Sequence, residues 1–217
     1  MNRKDFCKHH WEYYLVLEKD FLQLERYVSF ELGEDYLYDG KKHRKCGNSK
    51  TFSNEFVKQY QAICSEVDVI LKSICLELSN QSACDMKNGY TPLVLQNWPN
   101  IKTQKVRFKD LELQPFSNWQ QEPDYKSPDW WTPYNKIKHE RVNNYHKANL
   151  KNVLNALSGL YILENYLVKF IGDRDDDMDV PNDISLIFKM TDFETRETVI
   201  GKDSYLTTSK DIDELLS

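Results

Sequence analysis

The sequence contains few of the residues that interrupt regular structure. It has seven glycines and seven prolines in 217 residues, which excludes a fibrous protein and favours long regular elements. No apolar run approaches the roughly 18 to 20 residues that a membrane helix needs. The first residues, MNRKDFCKHHWEYY, contain no apolar segment of the kind found in a signal peptide. We therefore expect a cytoplasmic protein that makes no membrane contact.

Cysteine is also sparse, and its spacing argues against disulfides and zinc sites. The five cysteines form no CxxC pair, so we expect reduced thiols inside a cell. His43 and Cys46 have a spacing that resembles a pair of metal ligands, and Cys7 with His9 and His10 resembles one loosely. A structural zinc site needs four well-placed ligands. We therefore predict no bound metal and no cofactor.

An excess of basic residues is absent, because 34 acidic residues outnumber 29 basic ones and the net charge is −5. Taken alone, this balance argues against a dedicated nucleic-acid-binding protein. The apolar fraction of 40% and the aromatic fraction of 13% are sufficient for a sizeable core and exclude a disordered chain. The length favours one large domain, or one domain with an insertion.

Helical periodicity is the strongest pattern that the sequence does contain. Apolar residues recur every three or four positions over residues 9–32, 53–78 and 129–171, which predicts long amphipathic helices. A glycine follows the first of these helices and is expected to end it. Thr51 or Ser53 is the expected N-cap of the second helix. For the third range, one helix and two helices joined near residues 143–144 are both compatible with the sequence.

Three other segments lack this periodicity. Residues 34–50 are predicted to be a polar loop with a solvated basic run. Residues 79–128 contain five of the seven prolines and are predicted to be an ordered insertion, with a small β-hairpin and aromatic residues that dock on the helical core. Residues 184–190 alternate as in a half-buried strand, whose expected hairpin partner includes Val199 and Ile200.

These elements predict a mainly α-helical bundle with a proline-rich, partly β insertion and a small C-terminal β-hairpin. Residues 1–172 would form the helical domain, interrupted by the insertion over residues 79–128. Residues 173–217 would follow as an acidic linker and a β-hairpin appendage.

The segment most informative about chemistry lies between Lys136 and Lys151. It carries five lysine or arginine side chains against one glutamate, together with His139 and His146. Such a cluster can hold phosphate groups. A histidine near an arginine suits phosphodiester chemistry, because histidine moves protons near neutral pH and arginine offers a planar fork to phosphoryl oxygens.

The backbone of this segment decides which side chains meet. One continuous helix would place a narrow stripe on one face, made of Asn135, His139, Val142, His146 and Asn149, with Lys138 beside it. Arg141 would then point away from the stripe, whereas a break near residue 143 would let Arg141 and His146 converge. The competing interpretation is a buried hydrogen-bonded network that only shapes helix packing.

Two carboxylates, Glu66 and Asp68, flank the apolar stripe of the second helix. They are either boundary residues in water or part of the lining of a cleft. In the second case they belong with the candidate site.

The run from Arg141 to His146, Arg-Val-Asn-Asn-Tyr-His, fits the R-x4-6-H pattern of HEPN domains. The preceding Trp130-Trp131 and Tyr134-Asn-Lys-Ile-Lys-His-Glu-Arg, followed by a leucine-rich helix, resemble uncharacterised bacterial HEPN-like proteins. The helix that carries Ser65-Glu-Val-Asp68 and the stretch Leu113-Gln-Pro-Phe116 before a tryptophan resemble the same group. The resemblance covers residues 9–171.

The resemblance implies a bundle of four or five helices and a metal-independent endoribonuclease of a defence or toxin type system. It also implies a homodimer in which two copies of the motif build one cleft. His146 would be the acid/base group and Arg141 would stabilise the phosphate, so that attack by the RNA 2′-hydroxyl leaves a cyclic phosphate end. The supporting or RNA-binding residues would be Asn135, Lys138, His139, Lys147, Glu66 and Asp68.

The implied partners are RNA, a second copy of the chain, and an antitoxin or another defence-system protein. Val142 departs from the family pattern, which has a polar residue directly after the arginine. This departure keeps a second hypothesis, a non-catalytic HEPN-like module that binds RNA or protein. A purely structural subunit is a third hypothesis.

Overall fold

The computed structural model describes residues 1–38, 40–45, 47–83, 85–174, 184–190, 196–200 and 203–207. Over these ranges the protein is mainly helical and contains a small three-stranded antiparallel sheet. None of the helices in this part of the chain combines the length and the apolar character that crossing a bilayer requires.

The N-terminal helical segment begins earlier than its periodicity predicts. Helix α1 (Arg3–Phe6) continues through a π-helical turn (Cys7–Trp11) into α2 (Glu12–Gln23), and a 3₁₀ turn (Leu24–Arg26) ends it. Asn2 caps the start, since its side chain accepts a hydrogen bond from the Asp5 N–H at 2.8 Å.

The prediction of a helix over residues 9–32 was therefore wrong at both ends. After the 3₁₀ turn the chain leaves the helix, and Phe30 stacks on Phe21 with ring centroids 4.5 Å apart. Phe30, one of the apolar side chains that suggested a longer helix, is thus buried without helical backbone. Helical periodicity reports which residues are buried and does not by itself fix the backbone that buries them.

A β-hairpin occupies the segment that was predicted to be a polar loop. Strand β1 (Glu34–Tyr38) pairs antiparallel with β2 (Lys41–Lys45). The register sets Glu34 opposite Lys45 and Asp35 opposite Arg44. The prediction failed because these strands are charged and lack the apolar alternation by which a strand is usually recognised.

Two long helices form the centre of the protein, α3 (Asn54–Ser79) and α6 (Leu150–Arg174), and they pack against each other. Helix α3 confirms its prediction: Ser53 Oγ accepts a hydrogen bond from the Phe56 N–H at 3.1 Å, and Asn80 ends the helix with a left-handed φ of 55°. Helix α6 is buried on nearly every face. A helix of this kind must be covered on all sides.

The proline-rich insertion is ordered and covers one side of α6. It contains a π-helical turn (Met86–Tyr90), α4 (Thr91–Asn97), a 3₁₀ turn (Pro99–Thr103), β3 (Val106–Phe108) and β4 (Leu111–Leu113). Strands β3 and β4 form the predicted hairpin. Trp119 is fully buried, and Trp98 packs edge-on against Tyr166 of α6 with ring centroids 5.3 Å apart, so the aromatic docking is also confirmed.

The C-terminal strand pairs with a different partner from the predicted one. Strand β5 (Phe188–Lys189) pairs with β3, which gives the sheet order β4-β3-β5. Phe188 is buried between Phe108 and Tyr161, with centroid distances of 5.9 and 5.6 Å. The C-terminal hairpin consists instead of β6 (Arg196–Ile200) and β7 (Asp203–Thr207). The proposed pairing with Val199 and Ile200 was wrong because the edge of β3 and an aromatic cluster accommodate Phe188.

Part of the predicted C-terminal organisation lies outside the described residues. The acidic linker falls largely on residues 175–183, and Cys46 of the considered metal pair is also outside. Cys7, Cys64 and Cys75 are free thiols and are buried, as expected for reduced cysteines in a core.

Candidate nucleic-acid interface

The basic segment lies on two helical pieces joined by a break. Helix α5 (Trp131–Asn144) is interrupted at Glu140, where φ is −144° and ψ is 63°. A 3₁₀ turn (Tyr145–Lys147) follows before α6 begins. The structure therefore has two helices over the range that the sequence left open. The stripe that a single helix would have produced does not form.

Asparagine side chains stabilise this break. Asn144 is buried and donates a hydrogen bond to the Glu140 carbonyl at 2.8 Å, and Asn143 donates to Glu140 Oε1 at 2.6 Å. Asn149 accepts from the Asn152 N–H at 3.1 Å and so caps the start of α6. Asparagine competes with the helical backbone for hydrogen bonds, and its abundance here is the sequence signal of the break.

Arg141 and His146 are both exposed and lie on consecutive turns at this break. No described residue forms a hydrogen bond or an ion pair with either side chain, although the His146 carbonyl accepts from Asn149. The guanidinium and the imidazole therefore face solvent without an internal partner. A phosphate can contact them without displacing a protein group.

The other basic residues of the segment extend this exposed region, which we call the basic surface. It consists of Lys136, Lys138, His139, Arg141, His146, Lys147 and Lys151. Lys138 Nζ lies 5.9 Å from the centroid of the Tyr134 ring. Lys147 is half-buried and donates to Asn144 Oδ1 at 2.5 Å, and Asn135 is also half-buried. The basic surface thus combines several free cations with one lysine that is fixed in place.

Two aromatic residues that the sequence analysis missed border the basic surface. Phe52 is 46% exposed and packs edge-on against Tyr145, with ring centroids 5.5 Å apart. Tyr145 also donates from its hydroxyl to Asn54 Oδ1 at 2.8 Å. Exposed aromatic rings beside cations suit the stacking of single-stranded bases. The tertiary pairing of Phe52 with Asn149 helps to bring these segments together.

The structure separates Glu66 and Asp68 from Arg141 and His146. Tyr145 contacts the first turn of α3, and Glu66 lies roughly 18 Å further along that helix at about 1.5 Å per residue. Asp68 accepts from the Tyr90 hydroxyl at 2.7 Å and pairs with Lys72 at 2.5 Å.

Glu66 is buried in the helical core beside Glu164. Its Oε1 lies 3.4 Å from His10 Nδ1. Burial and the charge of Glu66 hold the pKa of Glu164 well above its usual range. These groups therefore form a second cluster, distinct from the basic surface.

Comparisons of the chain with models of protein families, with curated proteins and with solved structures found no match. Function is therefore inferred from the residues of the site and from the sequence resemblance described above. The assignment to a HEPN-like group stays a prediction.

Proposed function

We propose that the protein is a metal-independent endoribonuclease of a defence or toxin type system that acts on RNA at the basic surface, with Arg141 and His146 as the reacting pair. The supporting observation is that both side chains are exposed at a helix break and no described residue engages them. An arginine holds a phosphate in a fixed orientation, and a histidine exchanges protons near neutral pH. This pair suits cleavage of a phosphodiester bond.

The reaction follows from the chemistry of these two groups. Arg141 binds the non-bridging oxygens of one RNA phosphate and stabilises the charge that grows on them. His146 accepts the proton of the 2′-hydroxyl, whose oxygen then forms a bond to the adjacent phosphorus. The bond from phosphorus to the 5′-oxygen breaks, and that oxygen takes up a proton from an imidazolium. The products carry a 2′,3′-cyclic phosphate and a 5′-hydroxyl.

Acid and base act on opposite sides of the scissile bond, so a second titratable group is needed. We propose that a second copy of the chain supplies it, with two basic surfaces facing one RNA. Val142 supports this arrangement, because it is 92% exposed directly beside Arg141. An exposed apolar side chain in the middle of a charged region suits contact between copies.

RNA binding without cleavage is the second candidate function. The exposed contact between Phe52 and Tyr145 supports it, since aromatic stacking contributes to RNA binding and requires no reacting group. The identity of Val142 at the position after Arg141 supports it as well. In this case an antitoxin or another defence-system protein would complete the functional complex.

The deciding experiment incubates labelled single-stranded RNA with the full chain in EDTA, after circular dichroism has shown that the protein stays folded there. We expect cleavage with cyclic phosphate ends, and a loss of about 10²-fold or more in Arg141→Ala and in His146→Ala. His9→Ala is the matched control, because His9 is also exposed but lies on the N-terminal helix. It should cleave like the unaltered protein.

Three other outcomes would change the interpretation. Equal cleavage by the Arg141→Ala, His146→Ala double variant would overturn the assignment of the reacting pair. RNA binding without cleavage, weakened by Phe52→Ala, would support the second candidate instead. A chain that neither binds nor cleaves RNA would overturn both.

A further inference from the structure

A cluster of ionisable side chains lies inside the protein where the N-terminal helix meets α3 and α6. His10, Glu66 and Glu164 each present one ligand atom within 4.8 Å of the others, and all three residues are buried. Glu164 lies roughly 21 Å along α6 from Leu150, at about 1.5 Å per residue. The cluster is therefore remote from the basic surface.

Glu164 is the residue in this cluster that needs an explanation. It is 0% exposed, and no described residue donates a hydrogen bond to either carboxylate oxygen. Arg3 is buried on the N-terminal helix, but it too donates no hydrogen bond to Glu164. A buried carboxylate without a donor, beside a second buried carboxylate, is costly, and proteins compensate such groups with a cation or a proton.

The surroundings of His10 favour a metal ion as the compensating cation. His10 Nδ1 lies 3.4 Å from Glu66 Oε1, which is long for an N–H···O hydrogen bond, whose usual length is about 2.9 Å. Ligand atoms about 2.1 Å from a tetrahedral zinc ion lie about 3.4 Å apart. Ser73 Oγ lies 3.4 Å from His10 Nε2, the other ring nitrogen. A polar group at this nitrogen commonly orients a histidine that binds a metal.

We propose that His10, Glu66 and Glu164 bind one divalent transition-metal ion, and that Zn²⁺ fits them best. A neutral imidazole and two carboxylates carry a charge of −2, which a divalent ion balances. Imidazole selects Zn²⁺, Fe²⁺ or Ni²⁺ over Mg²⁺ and Ca²⁺. His10 lies in the π-helical turn, a feature that recurs at functional sites.

The role of this ion is structural, because its ligands are buried and come from three helices. It would fix the π-helical turn to α3 and α6 at the level of the core. The three ligands are far apart in the chain and form no motif, so the sequence alone predicts no metal. The remaining coordination position belongs to a second carboxylate oxygen or to an enclosed water.

The test measures zinc bound by the tag-free full chain. The protein is made metal-free with a chelator, mixed with ZnCl₂, separated by gel filtration and analysed by mass spectrometry for zinc. We expect about one zinc ion per chain. We also expect the Tm to rise by about 5 to 10 °C when free zinc exceeds its Kd about 100-fold.

Variants separate this site from other zinc-binding groups. Glu164→Gln and His10→Ala should lose at least nine-tenths of the bound zinc and the rise in Tm. Glu77→Gln is the matched control, because Glu77 also lies on α3 and pairs with Met1 and Arg174. Glu77 connects the same three segments at a position outside the cluster, so the Glu77→Gln variant should keep its bound zinc.

Two results would overturn the proposal. One is an unaltered protein that takes up no Zn²⁺, Mn²⁺, Fe²⁺ or Co²⁺ and shows no change in Tm, which would identify a proton as the compensating cation. The other is full zinc uptake by both variants. Should the variants fail to fold, the visible absorption spectrum of the Co²⁺-loaded unaltered protein tests the proposal instead. Bands typical of nitrogen and oxygen ligands would support the site, and the absence of such bands would overturn it.

Discussion

Glu18 shows how this protein accommodates a buried carboxylate when donors are present. The residue is 1% exposed and accepts hydrogen bonds from the Tyr14 hydroxyl at 2.5 Å, from Ser185 Oγ at 2.5 Å and from the Leu186 N–H at 2.7 Å. Glu164 is as deeply buried and has no such donor. At the scale of single residues, Glu18 therefore anchors residues 184–190 to α2.

Replacing Glu18 tests this anchor. We expect Glu18→Ala to lower the free energy of unfolding by about 3 kcal/mol, because it leaves several buried donors unpaired. Urea denaturation measures the loss, and faster hydrogen exchange at Leu186 and Phe188 locates it. Glu12→Ala, at an exposed position of the same helix, should change stability by less than about 0.5 kcal/mol. A comparably small effect of Glu18→Ala would refute the anchor.

Single residues were also where sequence reasoning was least informative. Residue type and spacing identified Arg141 and His146 as candidates, but their exposure depends on the break at Glu140. The burial of Glu18 and Glu66 depends on donors and neighbours that are remote in the chain. Spacing along one helix carries no information about such contacts.

At the scale of elements, Gly159 lets α6 approach the rings of Trp130 and Phe116 closely. A Cβ at this position would lie 2.9 Å from Cζ2 of Trp130 and 3.3 Å from the ring of Phe116. The Trp130 ring is fixed, because its Nε1 donates to the Pro115 carbonyl at 3.0 Å. The Trp130 carbonyl in turn accepts a hydrogen bond from the Tyr60 hydroxyl.

Gly159→Ala tests how tightly these elements pack. Alanine gains about 1 kcal/mol in helix propensity, but overpacking against a fixed ring costs about 1 to 3 kcal/mol. We expect a net loss of about 1 kcal/mol in urea denaturation. A double-mutant cycle with Trp130→Phe should give a coupling of at least about 0.5 kcal/mol. If Gly159→Ala instead stabilises the protein, the Trp130 ring can be displaced at little cost in free energy.

The elements themselves divide into predictable and unpredictable ones. Helix α3 followed from a local apolar repeat and a local cap, and the β3–β4 hairpin followed from local alternation. The β1–β2 hairpin carries charged residues, and the partner of β5 lies about 80 residues away in the chain. Strand pairing at such a separation leaves no periodic pattern in the sequence.

At the scale of the whole molecule, Glu77 connects the first residue with the last turn of α6. Its Oε1 lies 2.5 Å from the Met1 amino group and its Oε2 lies 2.6 Å from Arg174 Nη1. Burial raises the pKa of Glu77, but hydrogen bonds from the amino terminus and Arg174 outweigh burial and lower the pKa below 4.5. The carboxylate form is therefore favoured in the folded state.

This shift sets the sign of a pH effect. A carboxyl group with a lowered folded-state pKa stabilises the protein above its unfolded pKa, and that contribution is lost as the pH falls through the folded-state value. We expect Glu77→Gln to be less stable by about 1 kcal/mol at pH 7, with the difference shrinking below about pH 4.5. Urea denaturation at several pH values measures it. Glu55→Gln, in an exposed pair with Lys58, should show no such convergence.

The whole molecule also explains why net charge was a poor guide to function. The value of −5 averages acidic residues over the chain, whereas the basic surface is a local group of basic side chains between Lys136 and Lys151. The helical class and the size of the core followed from composition and periodicity. The sequence alone could not group Phe52 with the basic surface, because the two meet only in the folded structure.

The distance along the chain between Tyr14 and Ser185, 171 residues, has a consequence for biosynthesis. Translation at about 5 to 20 residues per second separates the emergence of these two residues by roughly 10 to 30 s. Phe108 and then Tyr161 emerge within that interval, and both lack the cover that Phe188 provides until Phe188 has followed them. A nascent or prematurely terminated chain therefore presents an aromatic surface to chaperones and proteases, and the last strand of the sheet covers that surface once it has emerged.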